Sequence, residues 1–353
     1  IRLSNGIRHK LQFLVTLRTS SFIALLLYHG IEWELITFKK TLSSLSCFPL
    51  PKQGAYRTVS KKLYPHQTQG VLFVTVDTPL TPLTKRLTQI HHLKDACAVL
   101  SWDQETYMPP GGGHARAEQI ATIQTLAHEA LTSSETEKLL GTWIDIPTGQ
   151  LLKTAQAELN DSAQALIREV WRDVTHAKKL PSAFVNTLER ECSLAQQVWI
   201  EARKKNDFAL FLPNLRKVVD LKLKETEYLG YAASPYDALL DEYEPGSTVA
   251  KLTPLFSTLR PRLVTLLQQV RNSSIKPNTS LLSQPFENDK QVEFGKMILS
   301  KMGYQFDRGR LDLSAHPFTT SFHPHDVRVT TRVFERDFQS CLFSCIHEGG
   351  VKI

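Results

Sequence analysis

The chain has 353 residues, of which 42% are hydrophobic, 42 are Lys or Arg and 35 are Asp or Glu. This length and composition can bury one large core or two ordinary ones. The basic residues are scattered, with no patch that interleaves them with aromatic side chains, so the sequence predicts no nucleic-acid binding.

The first 80 residues differ from the rest of the chain. They hold 10 basic and 3 acidic side chains, a net charge of +7, whereas residues 81–353 hold 32 of each. Basic residues precede the first acid, Glu32, a pattern also found in organelle transit peptides. The apolar run Phe22–Tyr28 is too short to span a membrane. We interpret residues 1–80 as an ill-ordered extension or as sequence translated outside the true reading frame, and residues 81–353 as the folded domain.

From Pro82 to Met302 apolar residues recur at three and four positions, and Gly or Pro marks the breaks, which predicts long helices. No heptad or 34-residue repeat is sustained long enough to predict a coiled coil or a solenoid. The expected helices are Leu83–Trp102, Ala115–Leu131, Leu151–Leu180, Ala183–Lys204, Phe208–Leu229 bent at Pro213, Leu252–Val270 and Val292–Met302.

The stretch Tyr304–Thr331 breaks this pattern, because its apolar residues alternate with Gly, Pro, His and Asp. It predicts a small antiparallel sheet, with Thr330 or Thr331 as N-cap of a last helix. On that helix Phe334, Phe338, Cys341, Leu342 and Cys345 share one stripe, which predicts a core-facing seam. His347 lies on the opposite side, which faces either solvent or a cleft.

The five cysteines are odd in number and mostly far apart. This is typical of a reducing compartment, so we expect a cytoplasmic protein. Cys341 and Cys345 are predicted to be small core residues rather than metal ligands, because His347 is turned about 160° away from Cys345 on a helix.

His347-Glu348-Gly349-Gly350 begins the zinc-peptidase signature H-E-x-x-H. Two histidines four residues apart on a helix can share a tetrahedral zinc, and the glutamate can act as general base toward the metal-bound water. Val351 stands where the second histidine is due, and valine has no lone pair to offer. One imidazole does not make a catalytic zinc site, which needs three protein ligands.

Together with three further motifs, this stretch resembles the carboxypeptidase Taq family of metallocarboxypeptidases. The motifs follow in the family's order: W-D-Q-E-T-x-M-P at Trp102–Pro109, H-P-F at His316–Phe318, D-x-R-x-T at Asp326–Thr330, and the incomplete H-E-x-x-H. The likeness covers roughly residues 80 to 350, about the N-terminal half of the family's domain. It implies a mainly α fold: a long-helix, zinc-peptidase-like domain, incomplete here, with a small antiparallel β ribbon beside the zinc helix.

The resemblance implies a zinc-dependent release of C-terminal amino acids from peptides, with Glu348 as catalytic base and His347 as metal ligand. The resemblance further implies that the intact parent binds zinc, or cobalt in its place, and that it pairs as a homodimer. Arg328 and Asp326 form either a simple surface pair or part of a substrate cleft, and the resemblance favours the cleft. His316 is either a turn residue or a cleft-lining donor.

Trp102 is predicted to be a core residue and Asp103 a structural one. With one of three ligands, the chain itself is expected to be inactive and to bind no metal. An alternative is a non-catalytic helical protein that keeps a peptide groove and has lost its metal site. A third is that no stable protein forms, because apolar surface is left uncovered.

Overall fold

The computed structural model describes residues 79–350, and the predicted extension at residues 1–80 lies almost wholly outside them. Helices dominate the described part, which confirms the mainly α prediction. They are α1 (Thr81–Thr106), α2 (Gly113–Thr132), α3 (Ser134–Leu140), α4 (Lys153–Glu158), α5 (Asp161–Ala177), α6 (Ser182–Lys205), α7 (Phe208–Leu229), α8 (Pro235–Tyr243), α9 (Val249–Asn272), α10 (Asn288–Met302) and α11 (Phe338–Gly350).

Local signals decide where several helices begin and end. The side chain of Asn160 accepts a hydrogen bond from the Ala163 amide and caps α5, so the predicted helix Leu151–Leu180 is two helices. Asn206 takes a left-handed conformation that ends α6. Asp207 then caps α7, and Pro213 is accommodated inside that helix. The short helices α3 and α8 are capped by Ser133 and Ser234 and were not predicted.

Four of the long helices pack in series: α1 against α2, α2 against α6, and α6 against α7. One apolar core joins α1, α3 and α5 and includes Leu83, Leu140 and Ile167. A second lies between α6 and α7 around Trp199. Within residues 79–350, none of the helices is long and apolar enough to cross a bilayer.

Three short strands separate α10 from α11: β1 (Gly309–Leu313), β2 (Thr319–His323) and β3 (Asp326–Thr331). They form a sheet in the order β1-β3-β2. The pair β2–β3 is antiparallel as predicted, whereas β1 runs parallel to β3, so the sheet is mixed. The reason is that residues 314–318 carry the chain across the end of β3, and β2 therefore pairs with its far side.

The last helix begins later than predicted. Thr330 and Thr331 lie in β3, so neither is its N-cap, and the Asp337 carboxylate instead accepts a hydrogen bond from the Ser340 amide at 3.1 Å. Cys341 and Cys345 are buried against α10 and β3, as the predicted seam requires. Phe334 precedes the helix and is exposed, so the prediction that it belongs to the seam was wrong.

Candidate active site

The helix α11 carries His347 and Glu348 and is held tightly on its inner face. Its Cys345 lies against Gly295 of α10, where an added Cβ would come within 2.8 Å of the Cys345 Sγ. The hydroxyl of Thr331 reaches the Cys341 carbonyl at 3.3 Å and the Ser344 hydroxyl at 2.6 Å. These contacts with α10 and β3 fix the rotation of α11 about its axis.

With α11 in this orientation, Glu348 lies against the edge strand β2. The Thr319 hydroxyl is 2.9 Å from Glu348 Oε2 and 2.8 Å from the Glu348 carbonyl oxygen. Burial raises the pKa of Glu348 above its usual value, and the hydrogen bond from Thr319 and the neighbouring His347 oppose this rise. A carboxylate whose pKa is raised toward neutrality is better suited to accept a proton as a general base.

His347 stands beside Glu348 but is exposed. The sequence left open whether His347 faces solvent or a cleft, and among residues 79–350 its side chain faces solvent. Within residues 79–350 no group of three His, Cys, Asp or Glu side chains could hold a metal ion. The residues described here therefore do not, by themselves, fit a catalytic zinc site with three protein ligands.

The motif D-x-R-x-T forms strand β3. Arg328 donates to Asp326 from both Nε, at 2.6 Å, and Nη2, at 3.1 Å, and this pair is partly buried. Its guanidinium carbon lies 4.5 Å from the ring centre of Trp102 and 5.3 Å from that of Phe322. Trp102 is 8% exposed, so the prediction of a core residue is confirmed, but its stacking on Arg328 was not foreseen.

A second arginine stacks on the same indole. Arg310 of β1 lies 5.2 Å from the Trp102 ring centre, and it pairs through two 2.7 Å hydrogen bonds with the buried carboxylate of Asp312. It also donates to the Tyr107 hydroxyl at 2.9 Å. The end of α1, with its W-D-Q-E-T-x-M-P motif, is thereby fastened to the sheet. Asp103 pairs instead with Arg116 of α2 at 2.8 Å, which joins α1 to α2, a structural role as predicted.

The H-P-F motif lies in the loop that crosses the end of β3. Thr330 is fully buried and accepts a hydrogen bond from the Phe318 amide at 2.8 Å. The Ser314 hydroxyl lies 2.6 Å from the His316 carbonyl and 2.8 Å from the Thr330 hydroxyl. The His316 ring is half-buried, with Nδ1 2.6 Å from the Pro317 carbonyl oxygen. Thr330 thus joins the H-P-F loop to the D-x-R-x-T strand.

The sheet divides the candidate residues between two faces. Val327 and Val329 pack with Cys341 and Cys345 of α11, and Thr319, the partner of Glu348, is in register with Val329. Because side chains alternate along a strand, Asp326, Arg328 and Thr330 leave from the opposite face, toward Trp102 and the H-P-F loop. The structure places Asp326 and Arg328 on one face and Glu348 on the other, and the loop that carries His316 is joined to Thr330 of the first face. Thr319 is the residue missed by sequence reasoning, since nothing in a Thr-Thr pair marks it as a partner of a distant glutamate.

Replacing Thr319 by valine is expected to raise the pKa of Glu348 further, because a hydrogen bond to the ionised form is lost. The pKa of Glu348 is already higher in the folded chain than in the unfolded chain. Its ionisation therefore lowers the free energy of unfolding as pH rises from the unfolded to the folded pKa. The variant should therefore lose more stability at neutral than at acidic pH. The Glu348 carboxyl titration by carbon NMR measures the shift. Thr320→Val, on the other face of the same strand, is the matched control, and an equal shift there would contradict the assignment.

Comparison with known proteins identifies the family of this chain. The family model "Carboxypeptidase Taq (M32) metallopeptidase" matches residues 82–353. Carboxypeptidase 1 of Bacillus subtilis is 36% identical over 264 residues, which cover 75% of this chain and 51% of that protein. Thermostable carboxypeptidase 1 of Thermus thermophilus is 36% identical over 270 residues, covering 73% and 51%.

Solved structures give the same result. The crystal structure of BsuCP matches with a TM-score of 0.71 at 36% identity, covering 76% of this chain and 52% of that one. The M32 carboxypeptidase from Deinococcus radiodurans R1 matches with a TM-score of 0.65 at 32% identity, covering 78% and 53%. The chain thus spans about half the length of the curated relatives it matches. On its helical fold, its mixed sheet and the match over residues 82–353, the chain belongs to the carboxypeptidase Taq (M32) metallopeptidase family.

Proposed function

We propose that this chain is part of a metallocarboxypeptidase that hydrolyses the last peptide bond of a peptide and releases its C-terminal amino acid. The observation that carries the proposal is the setting of Glu348: half-buried, raised in pKa and held by the Thr319 hydroxyl at 2.9 Å. In this role Glu348 takes a proton from the water that attacks the peptide carbonyl. Family membership supports a peptide as substrate.

His347 is proposed as one metal ligand, with zinc as the metal and cobalt as its substitute. The proposal rests on the H-E-G-G sequence and on the family, since the described residues offer no group of three ligands. A neutral imidazole is a common ligand of zinc. Because the side chain of His347 is exposed, metal ligands from outside residues 79–350 can share one metal ion with it.

Arg328, Asp326 and His316 are proposed as substrate-binding residues. A planar guanidinium is well suited to hold a substrate carboxylate or carbonyl, and Asp326 and Trp102 hold that of Arg328 in place. Glu348 lies on the opposite face of the sheet from Arg328, and this argues against direct cooperation between the two side chains. A cytoplasmic location and a homodimeric parent remain expectations from the free cysteines and from the resemblance.

The experiment that tests His347 as a ligand is the substitution Val351→His, which completes H-E-x-x-H. Two histidines four residues apart on a helix can share one metal. The variant is therefore expected to bind zinc at least about tenfold more tightly than the wild-type chain. Competition with a chromophoric chelator measures the affinity.

The control for this experiment is the double variant His347→Ala with Val351→His, which should lose the gain. A gain that survives removal of His347 would refute its role as ligand. The wild-type chain, assayed with a blocked dipeptide and zinc or cobalt, is expected to release no C-terminal residue above background. Metal-dependent release by the wild-type chain would overturn the expectation that it is inactive.

A second candidate function is a non-catalytic helical protein that binds peptides. The absence of a three-ligand group from residues 79–350 favours it. It predicts peptide binding that does not depend on metal, and calorimetry with and without a chelator distinguishes the two functions. Heat of peptide binding that vanishes with the chelator would exclude this alternative.

A further inference from the structure

Two half-buried arginines meet where the end of α6 lies beside the H-P-F loop and the start of α11. Arg203 is in the last turn of α6, and its Nη1 donates to the carbonyl of Ala315. Arg332 directly follows β3, and its Nε donates to the Ser340 hydroxyl at 3.1 Å. The charge of Arg203 is close enough to act on Arg332. The fold thus brings two cations from distant parts of the chain to one place.

Neighbouring aromatic rings hold both guanidinium groups in position. The guanidinium carbon of Arg203 lies 5.4 Å from the ring centre of Trp199, and that of Arg332 lies 5.2 Å from the ring centre of Phe334. A guanidinium has five N–H donors, and among residues 79–350 each of the two arginines uses one nitrogen atom in a hydrogen bond. The other donors of both groups can therefore bind one shared acceptor.

The two positive charges have no counter-ion in the part of the chain that the structure describes. Neither arginine forms an ion pair with a carboxylate of residues 79–350. The carboxylate of Asp337 attracts Arg332 from a greater distance, and it already accepts a hydrogen bond from the Ser340 amide at 3.1 Å. Burial lowers the pKa of Arg203, and burial together with the charge of Arg203 lowers the pKa of Arg332 to about 10. Both groups therefore stay charged at neutral pH, although they repel each other and are partly desolvated.

An anion between the two guanidinium groups would remove their repulsion and supply acceptors for their remaining N–H groups. The planar fork of arginine matches the oxygen atoms of carboxylate and phosphate. We propose that Arg203 and Arg332 form a binding site for one oxyanion, either a carboxylate or a phosphate. The bound anion joins the end of α6 to the start of α11, and Ala315 brings the H-P-F loop to the same site.

This anion is not the terminal carboxylate of the proposed peptide substrate. Arg332 contacts Ser340 in the first turn of α11, whereas Glu348 lies near the other end of that helix, about 12 Å away along its axis. The terminal carboxylate of a peptide lies one residue beyond the bond that is hydrolysed, which is about 3.5 Å of chain. With Glu348 as the proposed base, Arg203 and Arg332 are therefore too far away to hold that carboxylate.

The oxyanion can come from two sources that share this chemistry. One is a free anion, and the other is an Asp or Glu side chain of a longer polypeptide, because the chain spans about half the length of its relatives. Both sources need the same two guanidinium groups. The experiment therefore tests the pair of arginines first and the source second.

The test is calorimetric titration of the full chain with sodium phosphate, in sodium chloride at constant ionic strength. We expect one site with a dissociation constant on the order of 1 mM. Arg203→Gln and Arg332→Gln should each weaken phosphate binding at least about tenfold. Arg336→Gln removes an exposed arginine close to Arg332 in sequence and should change the affinity less than about threefold. An equal loss in all three variants, or no binding to the wild-type chain, overturns the proposal.

A conservative variant separates loss of the site from loss of the fold. Arg332→Lys keeps the positive charge but removes the planar fork, so it should weaken phosphate binding at least about threefold. Circular dichroism and the melting temperature in sodium chloride must match those of the wild-type chain. Phosphate affinity equal to the wild-type value in this folded variant would contradict the proposal.

The same titration on a longer relative that carries arginine at both positions identifies the source of the anion. Phosphate binding there that is lost with either arginine assigns the site to a free anion. Binding to this chain but not to the longer relative assigns it to a carboxylate of the longer polypeptide, and changing that residue to its amide should then restore phosphate binding. Phosphate binding that survives the loss of both arginines overturns the proposal for either source.

Discussion

Replacing Lys222 by methionine is expected to lower the free energy of unfolding by about 3–5 kcal/mol. Lys222 and Glu225 form an ion pair one turn apart on α7, and both are buried, at 3% and 7% exposed. Burial raises the pKa of Glu225 and Lys222 opposes that rise, so removing Lys222 leaves a buried carboxylate without its partner.

The loss in this variant should depend on pH. Without Lys222 the pKa of Glu225 in the folded chain lies further above its value in the unfolded chain. The variant therefore loses stability as pH rises from the unfolded to the folded pKa. Urea denaturation at acidic and neutral pH should therefore show a smaller deficit in acid. Adding Glu225→Leu should restore most of the stability. Lys205→Met, in the exposed pair with Glu201, is the control and should leave the urea midpoint unchanged. A Lys222→Met deficit that is the same at both pH values would contradict the argument.

Replacing Trp102 by alanine is expected to cost about 3–5 kcal/mol of unfolding free energy, the usual range for a buried tryptophan. The indole is 8% exposed and carries the guanidinium groups of Arg310 and Arg328 at 5.2 and 4.5 Å. The substitution thus removes apolar burial and both stacking contacts between α1 and the sheet. Chemical denaturation measures the change.

Trp102→Phe should cost less than alanine, because it keeps an aromatic face and removes an indole N–H that is buried without a hydrogen-bond partner among residues 79–350. Tyr231→Ala, at an aromatic residue that is 48% exposed, should change stability by no more than about 0.5 kcal/mol. If alanine and phenylalanine at position 102 cost the same, the ring is not what joins α1 to the sheet.

The sequence predicted the long helices because their signals are local. Apolar periodicity and the breaks at Pro181 and Gly303 placed α6 and α10 within a few residues of their observed ends. The break between α4 and α5 was missed, because Asn160 interrupts a periodic pattern only when its side chain caps the next helix. The strands were located by alternation. Their pairing was only half predicted, since the parallel partner of β1 depends on the path of residues 314–318.

The candidate site was predictable as a set of motifs but not as an arrangement. His347, Glu348, Arg328 and His316 were named from sequence patterns that carry chemistry. Their division between two faces of the sheet follows from the register of β2 with β3, which the patterns do not contain. The hydrogen bond from Thr319 to Glu348 joins residues 29 positions apart, and no short-range pattern indicates it.

The path of the chain through the mixed sheet sets an order of assembly. The hairpin of β2 and β3 has only Pro324 and His325 between its strands, so it can close from neighbouring residues within microseconds. Strand β1 pairs in parallel with β3 across the longer connection 314–325, so its pairing closes a larger loop and is expected to form after the hairpin. Deuterium uptake should therefore be fastest at the β1 amides, because the strand that docks last is the first to detach during partial opening.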